Sequence, residues 1–322
     1  MHGSTTEPAS TSSIVVHRLN PDDAAIVAAM REMVSSAKGI VPTAADGRGR
    51  FDALMEGVSP RDDVKFEKAI LGGVPGLWVQ PANWRSDEAI LHLHGGWFNF
   101  GSANAYRHLV GHIAARAGAR AFVPDYRLAP EHPFPAATDD VLACYRALAR
   151  TDVRRIALTG DSAGGNLALV LASSVTGEPV SSDAIVVGVV ALSPVTDLTL
   201  SGATYETRAD ADPLFTRPQI AEMVNSYLAG ADAKYPLASP LYGRHSSMPS
   251  IRIHVGDDEV LLDDSLRYVE RAVAAGVDAR AEVWMGMPHG FPASIGRLKA
   301  ATQALDAIGA FLSERLQAHA NP

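Results

Sequence analysis

Residues 154–174 read RRIALTGDSAGGNLALVLASS. The opening RRIALT is the short apolar run of a buried strand, and AGGNLALVLASS carries the small and aliphatic residues of a buried helix. Between them Gly160-Asp161-Ser162-Ala163-Gly164 makes a G-x-S-x-G turn. That pattern alone arises by chance in about one 300-residue chain in ten at average Gly and Ser usage. Set between a strand and a helix, it is the context of a nucleophile elbow, a tight turn that lifts a serine hydroxyl above the sheet. Gly160, Ala163, Gly164 and Gly165 keep bulk out of the turn, and the helix N-terminus favours negative charge beside Ser162.

Outward from this turn, strands and helices alternate. Ala89 to Leu93, Ala121 to Pro124, Arg155 to Thr159, Ile185 to Leu192, Ile251 to Val255 and Ala281 to Trp284 read as strands. Helical spacing marks Tyr106 to Ala117, Ala136 to Arg150, Asn166 to Ser174, Ser265 to Ala275 and Gly296 to His319. IVVGVVAL at 185–192 is apolar on both faces, as a buried parallel strand is. The alternation predicts an α/β fold, a mostly parallel central sheet flanked by helices. From Ser201 to Ala231 it lapses into a polar loop and a lone helix around Gln219 to Leu228. This segment reads as an insertion over the carboxyl ends of the strands, where open α/β sheets bind ligands. A helix from Asp22 to about Ser36 would join it. The expected organisation is an N-terminal tail and cap helix over 1–45, then one catalytic domain over 46–322 with a small helical cap at about 201–231.

Composition narrows the function. The chain has 322 residues, 47% hydrophobic and 20% charged, the profile of a soluble globule. Its net charge of −8 repels a phosphate backbone, and no block of Lys and Arg reverses that locally, so no nucleic-acid partner is expected. No apolar run reaches the roughly 18 residues of a membrane span. MHGSTTEPASTSS at the start lacks the apolar stretch of a secretory signal. The expectation is a cytoplasmic protein with no membrane partner and a disordered leading dozen residues. Cys144, the lone cysteine, forms no intrachain disulfide and reads as a buried thiol on a helix face.

Several chemical signals fail on spacing. His108 and His112 stand four apart without the Glu of H-E-x-x-H, and His92 and His94 lack a third ligand. The acidic run at 257–264 lacks the central Gly of a calcium loop. Gly95, Gly96 and Gly101 do not space as a dinucleotide fingerprint. Ser35-Ser36-Ala37-Lys38 matches S-x-x-K of another serine-hydrolase class, but its companion motifs S-D-N and K-T-G are missing. Neither a metal nor a cofactor is expected.

His94-Gly95-Gly96-Trp97 directly follows the strand AILHL. Acyl transfer passes through an oxyanion that preorganised N–H groups must meet, and glycine lets a backbone approach the substrate closely. The expected donors are the amides of Ala163, Gly96 and either Gly95 or Trp97, with His94 bracing the loop. Trp97, Phe98 and Phe100 add aromatic bulk here, which suggests a restricted acyl site. The base is expected at His289, in the loop MPHGF after a strand, because the chain order in this kind of sheet is serine, acid, histidine. GDDEVLLDDS at 256–265 supplies the acid from among Asp257, Asp258, Glu259, Asp263 and Asp264, of which Asp263 or Asp264 suits a helix N-cap.

These pieces together resemble the hormone-sensitive-lipase family of α/β-hydrolases, the bacterial family IV esterases. The matching stretches are HGGWFNFGS at 94–102, DYRLAPEHPFPAA at 125–137, GDSAGGNLA at 160–168, SPVTDLTLSG at 193–202, DEVLLDDS at 258–265 and MPHGF at 287–291. They run in the expected order over about residues 60 to 315. The resemblance implies an α/β-hydrolase fold, hydrolysis of small-molecule esters with short acyl chains, and homodimers formed through the last strand and helix. Laying VLLDDS over the family's D-P-L-x-D pattern puts Glu259 at the acid position, with Asp258 and Asp257 as alternatives. Trp97 departs from the family's usual third glycine: its amide survives, while its indole must project into or beside the acyl pocket. Related readings are a lactone hydrolase, since DEVLLDDS resembles the branch with monoterpene lactone hydrolases, or a deacetylase. A non-catalytic receptor is the reading from another class, but the related plant receptors lose the histidine that this chain keeps as His289.

Overall fold

The computed structural model describes residues 12–36, 38–40, 44–176 and 184–318. The expected tail over the first eleven residues, Ala37 of the S-x-x-K match and the end of the last predicted helix at His319 lie outside them. The chain runs β1 (Ile14–His17), α1 (Pro21–Ser35), α2 (Ala44–Glu56), β2 (Val64–Leu71), β3 (Val74–Pro81), β4 (Glu88–Leu93), α3 (Ala103–Ala117), β5 (Ala121–Pro124) and α4 (Ala136–Leu148). It continues β6 (Arg155–Asp161), α5 (Ala163–Val175), β7 (Ile185–Leu192), α6 (Thr204–Thr207), α7 (Arg217–Leu228), β8 (Ser250–Gly256), α8 (Leu262–Ala274), β9 (Ala279–Trp284) and α9 (Lys299–Gln317).

The strands form one sheet in the order β1-β9-β8-β7-β6-β4-β5-β3-β2. Only the β2–β3 and β3–β5 pairs are antiparallel. All others are parallel. Helices α4, α5 and α8 pack on one face and α3 and α9 on the other, so the central strands are covered twice. This is the predicted doubly covered α/β sheet. Parallel pairing brings the carboxyl ends of β4, β6, β7, β8 and β9 to one edge of the sheet, and every loop that matters below leaves from there.

Five elements were not predicted, one of them the four-residue α6 inside the expected polar loop. In β1 only four residues pair, too few for a periodicity. VKFEKAIL in β2 keeps Lys65, Phe66, Glu67 and Lys68 exposed, so its alternation is masked by the charge of an edge strand. Its partner β3, also eight residues, follows at once across a Gly72-Gly73 turn that a two-residue hairpin favours. AADGRGRFDALME in α2 carries two glycines and reads poorly as a helix. Its packing supplies what propensity lacks: Phe51 lies 6.2 Å from both Phe100 and Tyr106, and Met55 is buried in the α3 side of the core. In α5 the helix starts three residues earlier than predicted, at Ala163, directly after the serine.

At the edge, β1 fills the outer side of β9, where the family resemblance implied a dimer contact. His17 stacks on Trp284 at 3.9 Å and bonds Glu282 at 2.7 Å. Behind it, α1 is tied to α9 by Asp23, a buried carboxylate that accepts the amides of Lys299 (2.8 Å) and Ala300 (2.9 Å) and so caps that helix from a distance. Cys144 is buried on α4 as expected, its thiol donating to the Leu71 carbonyl at 3.3 Å, and burial pushes its pKa up to about 12. Among the described residues no helix is long and apolar enough to cross a membrane.

Candidate active site

Ser162 sits between β6 and α5 with φ 52° and ψ −118°, a left-handed conformation that costs a residue with a Cβ about 1–3 kcal/mol. The surroundings hold it there. Its amide donates to the Leu192 carbonyl at 2.7 Å, and its own carbonyl accepts the amides of Asn166 (3.1 Å) and Val195 (3.3 Å). A Cβ on Gly160 would collide with the Gly164 carbonyl, and one on Gly164 with the carbonyls of Leu93 and His94. The motif therefore needs glycine at both positions, one to close the turn and one to let β4 run alongside. Leu93 pairs with Gly160, so the loop after β4 leaves directly beside the serine.

That loop is His94-Gly95-Gly96-Trp97. His94 braces it as expected: the ring stacks on Tyr126 at 4.2 Å, its Nδ1 bonds the Gly95 carbonyl at 2.9 Å, and the Tyr126 hydroxyl donates to its carbonyl at 2.7 Å. Burial pulls its pKa down to about 4, so it stays uncharged. The Gly96 carbonyl turns into the loop, where the amides of Asn99 (3.0 Å) and Phe100 (2.9 Å) reach it. Trp97 and Phe98 hold positive φ of 54° and 62°. Asn99 explains how. Buried, it donates to the Trp97 carbonyl at 2.6 Å and the Met223 carbonyl at 3.3 Å, and accepts from Ser226 at 2.8 Å. From the other side Arg48 of α2 donates to the carbonyls of Asn99 and Ala129, each at 2.9 Å. Beneath the loop lies Asp161, which burial pushes up to about 6 against the Tyr106 hydroxyl (2.8 Å), the nearby His289 and the Gly95 amide.

The three acid candidates separate by their partners. Glu259 is fully buried; its Oε2 accepts from His289 Nδ1 at 2.8 Å, and its Oε1 accepts the Ser193 hydroxyl (2.7 Å) and the Gly256 amide (2.6 Å). Asp258 pairs with Arg31 of α1, and Asp257 accepts the Gly286 amide at 2.5 Å. Asp263 accepts the Ala203 amide at 2.6 Å, and Asp264 those of Thr196 (2.7 Å) and Asp197 (2.9 Å). They tie down the insertion and the loop after β7 instead of capping their own helix. The loops after β8 and β9 are joined by Asp257 and Asp258 amides on the Trp284 (3.1 Å) and Met287 (3.3 Å) carbonyls, which sets where His289 stands. Burial disfavours its imidazolium, but the Glu259 hydrogen bond and charge, with Asp212 and Asp161, outweigh this and hold its pKa above 6.5.

The three aromatic residues part company. Trp97 lies edge-on to Phe215 at 5.4 Å, and Phe215 in turn lies edge-on to His289 at 5.1 Å. Phe98 stacks on Tyr227 of α7 at 3.7 Å, and Phe100 faces Phe51 of α2. Trp97 thus belongs to the His289 side, while the other two seat covering helices. Sequence reading missed Ser193, Asn99, Arg48, Asp212 and Phe215. Ser193 and Asn99 lie in quoted stretches, SPVTDLTLSG and HGGWFNFGS, whose partners could have raised them; Arg48, Asp212 and Phe215 lie in a helix and a loop with no chemical spacing.

A family model described as alpha/beta hydrolase fold matches residues 90–293. An acetyl-hydrolase of Streptomyces hygroscopicus is 36% identical over 260 residues, 80% of this chain and 83% of that one. An esterase of Acinetobacter venetianus is 33% identical over 264 residues, 81% and 86% of the two chains. The solved structure of EstE5 soaked with ethyl alcohol superposes with a TM-score of 0.86 at 34% identity, covering 92% of this chain and 99% of its own. An esterase from the bacterial hormone-sensitive lipase family superposes with a TM-score of 0.83 at 36% identity, with coverage of 92% and 99%. With its doubly covered sheet, its serine turn and these relatives, the chain belongs to the hormone-sensitive-lipase family of α/β-hydrolase esterases.

Proposed function

We propose that this protein hydrolyses small carboxylic esters of short acyl chain through an acyl-enzyme, with Ser162 as nucleophile, His289 as base and Glu259 as the acid that orients it. Ser162 Oγ attacks the ester carbonyl while its proton passes to His289 Nε2, the nitrogen left for it once Nδ1 is bound to Glu259. The oxyanion is met by the amides of Ala163, Gly96 and Trp97, since the Gly95 amide is turned to Asp161. His289 then returns the proton to the departing alkoxide, and water repeats the sequence to release the acid. Helix α1 and the segment 201–231 form a cap over this chemistry.

One observation carries the reading: a buried Glu259 with every partner a donor holds His289 in the same row of strand ends as a serine in a strained turn. The Trp97–Phe215–His289 row of rings walls the site and supports a short acyl chain. The test is a series of aryl esters from acetate to palmitate on wild type and Ser162→Ala. Wild type should prefer the short end, and the variant should fold and lose activity by about three orders of magnitude or more. Retained activity in Ser162→Ala would sink the serine assignment, and a preference for chains beyond about ten carbons the acyl-length reading.

A further inference from the structure

Asp212 lies in the insertion between α6 and α7, fully buried, and all its partners are backbone amides. Its Oδ1 accepts those of Leu214 (2.8 Å) and Phe215 (2.9 Å), the turn that carries the Phe215 ring against His289. Its Oδ2 accepts that of Val260 at 2.9 Å, the residue directly after Glu259. Val260 is gripped from its other end too. The Thr204 hydroxyl donates to its carbonyl at 2.6 Å and accepts the Asp263 amide at 3.0 Å. The insertion is therefore fastened to the acid loop at the peptide next to the acid. A buried carboxylate costs several kcal/mol unless its hydrogen bonds are met, so the three segments must keep this spacing together. An amide in its place would have one acceptor oxygen and would turn N–H donors toward N–H donors.

We propose that Asp212 is a positioning residue for the Glu259–His289 pair: it holds the acid's backbone from one side and the Phe215 wall of His289 from the other. This rests on the reading of Ser162, His289 and Glu259 given above. The charges facing His289 are those of Glu259, Asp212 and Asp161, so removing one of them also changes when the imidazole titrates.

The experiment is steady-state hydrolysis of an aryl acetate from pH 5 to 9 by wild type, Ser162→Ala, Asp212→Asn and Asp212→Glu, with the thermal midpoint of each. Asp212→Asn should lower kcat by about tenfold or more with KM little changed. Its pH midpoint should fall by about half a unit, as expected for loss of a nearby charge. Asp212→Glu keeps the charge and displaces the Val260 amide, so kcat should fall while the pH midpoint stays. A role in stability alone would lower the thermal midpoint and leave the pH midpoint of Asp212→Asn where wild type has it; that result overturns the proposal. If Asp212→Asn does not fold, Asp212→Glu decides, and wild-type kcat in it overturns the proposal equally. Activity in Ser162→Ala would instead overturn the functional reading beneath it.

Discussion

At the scale of single residues, electrostatics separates groups that look alike in the sequence. Asp257, Asp258 and Glu259 are consecutive carboxylates, yet only Glu259 reaches the imidazole, because its neighbours are held by the Gly286 amide and Arg31. Burial and charge then compete at His289, and charge wins, which leaves the ring easier to protonate than a free histidine. A base must be neutral to accept the serine proton. The kcat/KM for an aryl ester should therefore rise with pH around a midpoint above 6.5, since that quantity titrates the free enzyme. A rate profile measured from pH 5 to 9 checks this, and a midpoint at or below 6 would contradict the arrangement.

At the scale of elements, the loop after β4 depends on helices far away in sequence. Trp97 and Phe98 adopt a backbone that glycine would take more cheaply. The loop keeps it because Asn99 pins the Trp97 carbonyl to α7 and Arg48 pins the Asn99 carbonyl to α2. Asn99→Ala leaves these buried groups without partners, at a cost of about 1–3 kcal/mol in stability. It should also lower kcat/KM, because the loop is free to relax away from the serine. Denaturant unfolding and ester kinetics on the same variant test both, and unchanged kcat/KM would show that the loop holds its shape unaided. Sequence patterns located the buried central strands well, β5 and β7 to the residue, since burial leaves an unmixed apolar run. They missed α2 and β1, whose side chains make sense only against partners elsewhere.

At the scale of the whole molecule, burial of titratable groups makes stability depend on pH. His92, His94 and His254 are buried, and burial first of all pulls them down to about 3, 4 and 3. The unfolded chain protonates them near 6.5 while the folded one does not, so their share of stability is lost as pH falls below 6.5. Asp161 and Asp264 oppose this, pushed up by burial to about 6 and about 7. They hold protons in the folded state that the unfolded chain releases near 4, so their share is lost as pH rises through that window. Burial pulls His108, His112 and His245 down as well, and raises Asp125 and Asp258, so the lowered histidines outnumber the raised carboxylates and stability should fall as pH drops from 6 to 4. Below 4 the loss should ease, because the folded state too begins to protonate His92, His94 and His254. Urea unfolding at half-unit steps of pH would reveal it, and a level stability from 6 to 4 would refute it.

The local order of residues was enough to announce a parallel sheet, a serine on a tight turn, a glycine loop one strand away and a histidine loop near the end. Each of these is written in a few adjacent positions, because turns and buried strands restrict which residues can occupy them. The rest came from contacts between distant segments. Which of three aromatic rings faces His289, and that Asp212 joins the insertion to the acid loop, both depend on how loops from different strands meet. Such meetings are set by packing and by the need to satisfy buried polar atoms across the whole molecule, and no short window of sequence contains both partners.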